Sequence, residues 1–272
     1  MSKYMKQIIN SYTYSDWPNI EIDYKKPIRY FVDSFQGYNP NEDAFRILHI
    51  KEVEAICKLR ESAIKNQMMF DAIFTYDEEV LKACKHAYML PFGTTWIHNY
   101  NFPKKKFQVS NITGHKEITD GHLLRKKIHY KQTKINIPID FYISKFLGVE
   151  NFNNNKILGE FKEPMFDSQF HICIENSKQK NCFTEKLMDC FVTKTVPIYW
   201  GCPNIENFFD TSSIIVVDGF KDIIDACNNL TEKSYNIFLP GIEANFNLSK
   251  KYTNPVENIK NLLQEVLSKQ GI

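Results

Sequence analysis

Short runs of β-branched and aromatic residues alternate with stretches of helical period along most of this chain. Such alternation restricts a chain to parallel sheets covered by helices on both faces, because each return from one strand to the next needs a crossover. In the first half, strands are expected at 28–32 (IRYFV), 45–50, 70–74 and 88–90, and helices over 53–69 and 78–85, the second capped by Asp77. In the second half, strands are expected at 107–112, 170–174, 196–200 and 214–217. Helices are expected there at 122–132, 185–193 and 222–229. A last amphipathic helix over 256–269 gathers Val256, Ile259, Leu262, Leu263 and Val266 on one face. Residues 1–25 show no clear period and read as an irregular lead-in, Pro91-Phe92-Gly93 reads as a turn, and Asn153-Asn154-Asn155 as a loop. The fold class is therefore α/β, with two Rossmann-like domains whose parallel sheets face a cleft. The domains are placed at 1–103 and 104–272, joined at a solvated linker, Lys104-Lys105-Lys106, with the helix over 256–269 packing back on the first.

Composition narrows the function. A length of 272 residues with 43% hydrophobic and 14% aromatic side chains supports one or two packed domains and rules out wholesale disorder. Lys and Arg number 34 against 32 Asp and Glu, a net charge of +2, which disfavours nucleic acid or an anionic membrane as the main partner. Met1 to Asn10 contains no apolar core of a signal peptide, and the longest aliphatic run is only Ile214 to Val217, so a soluble cytoplasmic protein is expected. The seven cysteines are scattered without a CxxC pair, as suits free thiols in a reducing compartment rather than a zinc site or a disulfide framework. Asn111-Ile112-Thr113 fits a glycosylation sequon that such a protein would leave unused.

The chemistry concentrates in residues 170–203, FHICIENSKQKNCFTEKLMDCFVTKTVPIYWGCP, which reads as strand, polar loop, capped helix, strand and tight turn. Thr184 stands at the N-cap, with Glu185 and Lys186 in the first turn. In an open α/β sheet a ligand sits at the carboxyl ends of the strands beside helix N-termini, where free N–H groups and the helix dipole favour a diphosphate. Lys186 adds a full positive charge there, while the Glu185 carboxylate suits sugar hydroxyls. No GxGxxG or GxxxxGK[ST] is present, which leaves a dinucleotide oxidoreductase or a P-loop NTPase unsupported. A DxD metal motif is missing too, so cationic side chains and helix ends would have to stabilise a departing diphosphate.

Glu175-Asn176-Ser177, Phe183-Thr184-Glu185-Lys186 and Val196-Pro197-Ile198-Tyr199-Trp200-Gly201 with Pro203 resemble the signature of the α-1,3-fucosyltransferases, which runs roughly FENS, then GYVTEK, then VPIYWG and a proline. That resemblance covers about 34 residues closely, and implies a GT-B fold, GDP-fucose as donor, a glycan acceptor and inversion at the anomeric carbon. Carried over by position, Asn176, Glu185 and Lys186 contact the donor, and Phe183 stands beside them. The family's Gly-Tyr is read as Cys182-Phe183, so a tyrosine hydroxyl is missing near the donor, and the loop Lys178-Gln179-Lys180 is more basic than the pattern.

Upstream, the resemblance implies a helix whose arginine reaches the diphosphate. Arg125 is the positional match, with His122 and His129 on the same helical face and Lys116 as a second cation in the preceding loop. It also implies a glutamate just past a strand of the first domain as the base for the acceptor hydroxyl, a place held by Glu52, with Glu54 and the Asp77-Glu78-Glu79 cluster following. Metal independence is expected, a divalent cation being at most stimulatory. Vertebrate members carry a membrane anchor and a luminal stem, neither of which is expected here, so the reading points to a bacterial or viral enzyme acting on glycans at the cytoplasmic side, or to a trimmed chain. The alternatives are transfer from another nucleotide sugar, or a catalytically silent carbohydrate-binding protein on the same fold.

Overall fold

The computed structural model describes residues 5–9, 20–91, 93–97, 99–144 and 155–269. Phe92 of the expected turn, and Asn153 and Asn154 of the expected loop, lie outside the described residues. The chain divides into two compact units: residues 1–92, 180–182 and 254–272 form the first, and 93–179 with 183–253 the second.

The first unit is built on a parallel sheet of four strands, β3 (Ile28–Val32), β4 (Phe45–Ile50), β5 (Ala72–Thr75) and β6 (Ala87–Met89), lying in that order. Its central strands are apolar on both faces, as a strand covered on both sides requires: Ala72, Ile73 and Phe74 of β5 are all fully buried. Against one face pack Ile259, Leu263, Val266 and Leu267 of the helix Pro255–Lys269 (α8), so the stripe expected over 256–269 is used within this unit. Residues 1–25 are not irregular throughout. Met5–Ile9 (β1) pairs antiparallel with Ile20–Tyr24 (β2), whose IEIDY buries every second residue. That alternation is the period-two signal of a half-buried strand.

A single helix over 53–69 does not form. Glu54–Cys57 (α1) ends at Lys58, which takes the left-handed φ of 49°. The Glu54 carboxylate then accepts from the N–H groups of Leu59 (3.1 Å) and Arg60 (2.9 Å), starting a second helix, Arg60–Lys65 (α2). A side chain that caps a new helix competes with continuing the old one. Asp77 caps Glu78–Ala83 (α3) as expected, accepting from Glu79 and Val80.

The second unit carries a parallel sheet of six strands: β7 (Lys106–Thr113), β8 (Ile139–Ile143), β9 (Lys156–Ile157), β10 (Ser168–Ile174), β11 (Val196–Trp200) and β12 (Ile215–Val216). In space the order is β12-β11-β10-β7-β8-β9. Asp120–Tyr130 (α4) follows β7, Glu185–Val192 (α5) follows β10, and Phe220–Asn228 (α6) and Ser234–Ser249 (α7) complete the layers. Pro240-Gly241, a pair that generally favours a turn, lies inside α7. Tertiary contacts hold the helix there: a Cβ on Gly241 would come within 2.8 Å of the Ser213 Cβ. The buried Asn245 one turn on bonds the backbone of Asp210 on both its N–H (2.9 Å) and its carbonyl (2.8 Å).

Lys104-Lys105-Lys106 is not a solvated linker. Lys106 opens β7, and the Lys105 ammonium turns inward to donate to Thr195 Oγ1 (2.7 Å), Tyr100 Oη (2.9 Å) and the Phe166 carbonyl. It thereby ties together the segments that enter β7, β10 and β11, and burial pushes its pKa down to about 7. The first stretch of the first unit ends at Phe92, so 93–103 belong to the second. Among the described residues no helix is long and apolar enough to cross a membrane.

Candidate active site

In the six-stranded sheet the chain order runs outward in both directions from the neighbours β7 and β10, so their crossovers diverge and leave a crevice at their carboxyl ends. Two helices begin at that crevice. The α4 N-terminus lies directly on the end of β10: the Gly121 N–H donates to the Asn176 carbonyl at 3.0 Å, and a Cβ at 121 would come within 1.8 Å of the Glu175 carbonyl oxygen. Only glycine permits so close an approach.

Arg125, one turn into α4, donates Nη2 to Asn176 Oδ1 (2.9 Å) and Nη1 to the Ile174 carbonyl. Its fork therefore closes on the end of β10, and it orients Asn176. Burial works against its charge, while Glu175 and Glu185 pull the other way.

Glu175 is the centre of the arrangement, though the sequence reading gave it no role. Its buried carboxylate accepts from the Thr184 N–H (2.9 Å) and Thr184 Oγ1 (2.7 Å), and Lys186 Nζ stands 3.8 Å away. Thr184 caps α5 as expected, accepting from the Lys186 N–H, and so links the carboxylate to the helix start. Gly201 of the Tyr-Trp-Gly turn packs on the same group, since a Cβ there would meet Glu175 Cγ at 2.6 Å. Burial raises the Glu175 pKa against the pull of Lys186.

Lys186 Nζ also bonds Glu185 Oε1 at 2.9 Å. Burial opposes its charge, but Glu185 and Glu175 outweigh burial and hold the ammonium well above its ordinary value. In the same way burial would raise Glu185, yet Lys186 and then Lys162 hold it down at about 2. Both groups are thus firmly ionised at neutral pH. His122 shares a 2.6 Å hydrogen bond with Thr119 Oγ1, and its pKa falls to about 4 through burial first and then through Arg125, Lys116, Lys186 and His115. The neighbouring cations thus add to burial in favouring the neutral imidazole. Lys116 is exposed in the loop before α4, and His129 is buried against Phe141.

Phe183 is not gathered with these groups. Its ring is buried among Phe208, Phe209 and Tyr252, with centroids 5.0–5.2 Å away. Counted back from Thr184-Glu185-Lys186, GYVTEK puts its tyrosine at Cys182 and its valine at Phe183, which accords with an apolar side chain at 183. Lys178 is taken up by an ion pair with Asp218. A buried carboxylate that sequence reasoning missed, Asp189, accepts from Thr95 Oγ1 (2.8 Å) and the Trp96 N–H (2.9 Å) and pairs with Lys162 (3.3 Å). It lies one turn beyond Glu185 on α5, the only cue the sequence offered.

In the first unit, Glu52 lies just past β4. Its N–H donates to Asp33 Oδ1 (3.0 Å), its carbonyl accepts from Tyr76 Oη (2.9 Å), and its own Oε1 accepts from the Val53 N–H (3.0 Å). Glu54 caps α2, and Glu78 pairs with Lys82 (3.9 Å) and Lys180 (3.4 Å), so both have local structural partners. Among the described residues no group of three or more His, Cys, Asp or Glu is arranged to hold a metal ion.

Comparison with known proteins identifies the family and the fold. Residues 102–237 match glycosyltransferase family 10 (fucosyltransferase) C-term. The chain is 34% identical over 80 residues to the alpha-(1,3)-fucosyltransferase FucT of Helicobacter pylori, a stretch that covers 29% of this chain and 15% of that relative's length. A solved alpha1,3-fucosyltransferase with GDP superposes with a TM-score of 0.53 at 19% identity, over 80% of this chain and 69% of that one. TarM superposes with a TM-score of 0.61 at 13% identity, over 88% of this chain and 54% of that one. The fold is thus the GT-B fold of these glycosyltransferases. With half of its residues matched by the family, the chain belongs to glycosyltransferase family 10.

Proposed function

We propose that the protein is an inverting glycosyltransferase that moves fucose from GDP-fucose to a hydroxyl of a glycan acceptor. The observation that carries this reading is the ionised Lys186–Glu185 pair at the start of α5, set beside the Arg125–Asn176 pair at the end of β10. In the transfer, the acceptor oxygen attacks the anomeric carbon, the bond from that carbon to the diphosphate breaks, and the acceptor proton passes to Glu52. Charge accumulates on the leaving phosphate as the bond opens, so a fixed ammonium stabilises the transition state more than the ground state. Lys186 supplies that charge, and Lys116 and the guanidinium of Arg125 add to the field. The Glu185 carboxylate and the Asn176 amide orient the sugar and nucleotide by hydrogen bonds. No step calls for a metal ion.

The test is release of nucleoside diphosphate from GDP-fucose against a panel of glycan acceptors, with melting temperatures recorded in GDP, UDP and CDP. GDP should raise the melting temperature most, and transfer should depend on the acceptor. A larger shift with UDP or CDP would replace the donor. Binding without release under any acceptor would replace the enzyme with a silent binding protein.

A further inference from the structure

Asp33, Glu52 and Tyr76 stand just past the carboxyl ends of β3, β4 and β5, three neighbouring strands of the first unit's sheet. Asp33 takes a left-handed backbone, φ 49°, and its N–H donates to the His49 carbonyl at 2.9 Å. A non-glycine residue in that region is strained, and the strain persists only where the surroundings hold it. The turn aims Oδ1 of Asp33 at two consecutive backbone donors, the N–H of Lys51 (2.8 Å) and of Glu52 (3.0 Å). Its second oxygen, Oδ2, is buried with no hydrogen-bond partner among the described residues. From the other side, the hydroxyl of the buried Tyr76 donates to the Glu52 carbonyl at 2.9 Å. The Glu52 side chain then folds back so that Oε1 takes the Val53 N–H at 3.0 Å.

We infer that Asp33 and Tyr76 are positioning residues for Glu52, clamping its peptide N–H and carbonyl so that its carboxylate is held in one orientation. The inference rests on the reading of Glu52 as the base that receives the acceptor proton. A strained turn and a buried carboxylate oxygen without a donor are both costs to folding, and they fall on one residue whose bonded oxygen serves the approach to Glu52. Packing alone would be met as well by a turn of ordinary φ. Asparagine tolerates the same backbone and offers one carbonyl oxygen for the same two N–H groups, whereas alanine offers none.

The experiment compares Asp33→Ala, Asp33→Asn, Tyr76→Phe and Glu52→Gln in the full chain, by amide hydrogen exchange and by kcat and KM with GDP-fucose and an acceptor. Asp33→Ala should speed exchange at the Lys51 and Glu52 amides and lower kcat about 10- to 100-fold, with the donor KM within about twofold. Asp33→Asn should restore both the protection and most of kcat, and Tyr76→Phe should lower kcat severalfold. Unchanged kcat in Asp33→Ala overturns the inference, as does Asp33→Asn being as slow as Asp33→Ala, because then charge and not aim is what Asp33 supplies. If Asp33→Ala does not fold, Tyr76→Phe decides, and parental kcat there overturns the clamp. Glu52→Gln separates the two readings: parental turnover removes the base, whereas a dead Glu52→Gln beside a fully active Asp33→Ala removes the positioning alone.

Discussion

The two corners to which the proposed transfer assigns its chemistry are built in opposite ways. At the end of β4, Glu52 is fixed through its backbone by one carboxylate oxygen and one phenol, while its side-chain Oε1 accepts from the adjacent Val53 N–H. At the ends of β7 and β10, the functional groups are fixed through charge: Lys186 between Glu185 and Glu175, and Arg125 on Asn176 and a strand carbonyl. A side chain held by its backbone can lose its charged end without disturbing its surroundings. One held by ion pairs cannot, because its removal strands the partners in a poorly solvated place.

The sharpest probe of that contrast is Glu52→Gln. Transfer should fall about 10²- to 10⁴-fold, as for the loss of a general base. Stability should stay within about 0.5 kcal/mol, as for a surface substitution, and GDP binding should be unaffected. Chemical denaturation and calorimetry beside the rate assay check all of this, and an unfolded Glu52→Gln would erase the contrast. Lys186→Met should fail on both counts. Transfer should drop about 10²- to 10³-fold, as for loss of a transition-state donor. Two carboxylates losing their cation should also cost about 1–3 kcal/mol of stability, read from the urea midpoint. If Lys186→Met is as stable as the parent, the charge-held picture of that corner is wrong.

A smaller effect follows from buried histidines. His49 in the first unit and His171 in the second are pushed down to about 3, in each case by burial first, and His122 to about 4. The unfolded chain takes up protons near its ordinary value of about 6.5 while the folded one does not. The stability these neutral rings contribute is therefore complete above about pH 6.5 and is lost as pH falls from there toward about 3. Each such ring adds a slope of at most about 1.4 kcal/mol per pH unit in that window. His171→Asn should flatten the decline of the urea midpoint between pH 6.5 and 4.5, and a parental slope would show that His171 already titrates when folded. The smallest expected effect is that of EDTA on the initial rate of transfer, which should be nil; a rate restored only by added divalent cation would add a partner to the cations at this corner.

Much of the second unit was legible because its motif and its structure coincide. Thr184, Glu185 and Lys186 sit at a helix start that a sequence reader recognises by composition, and Gly201 sits where no side chain fits. Glu175 was visible in the motif but not as a hub, since only folding brings Thr184 and Lys186 onto it. Lys105 was misread for the converse reason: a triplet of lysines looks solvated until a tyrosine, a threonine and a carbonyl from distant segments converge on the middle one. The helix α7 was given no element in the sequence, since tertiary contacts hold it through Pro240, and the break at Lys58 came from a local cap overriding propensity. In the first unit the resemblance assigns Glu52, but the hydrogen bonds to its backbone could not be read, because Asp33 and Tyr76 reach it from other strands.

The helix α8 has a consequence for how the molecule is made. It supplies Ile259, Leu263, Val266 and Leu267 to the core of the unit that contains the earliest residues of the sequence. During synthesis the four-stranded sheet leaves the ribosome with one face bare, and it stays so while the whole of the second unit is translated. A chain halted before residue 255 would leave Ile20, Ile22, Tyr30 and Phe74 without their cover, so the helix over 255–269 decides when this sheet is safe from aggregation.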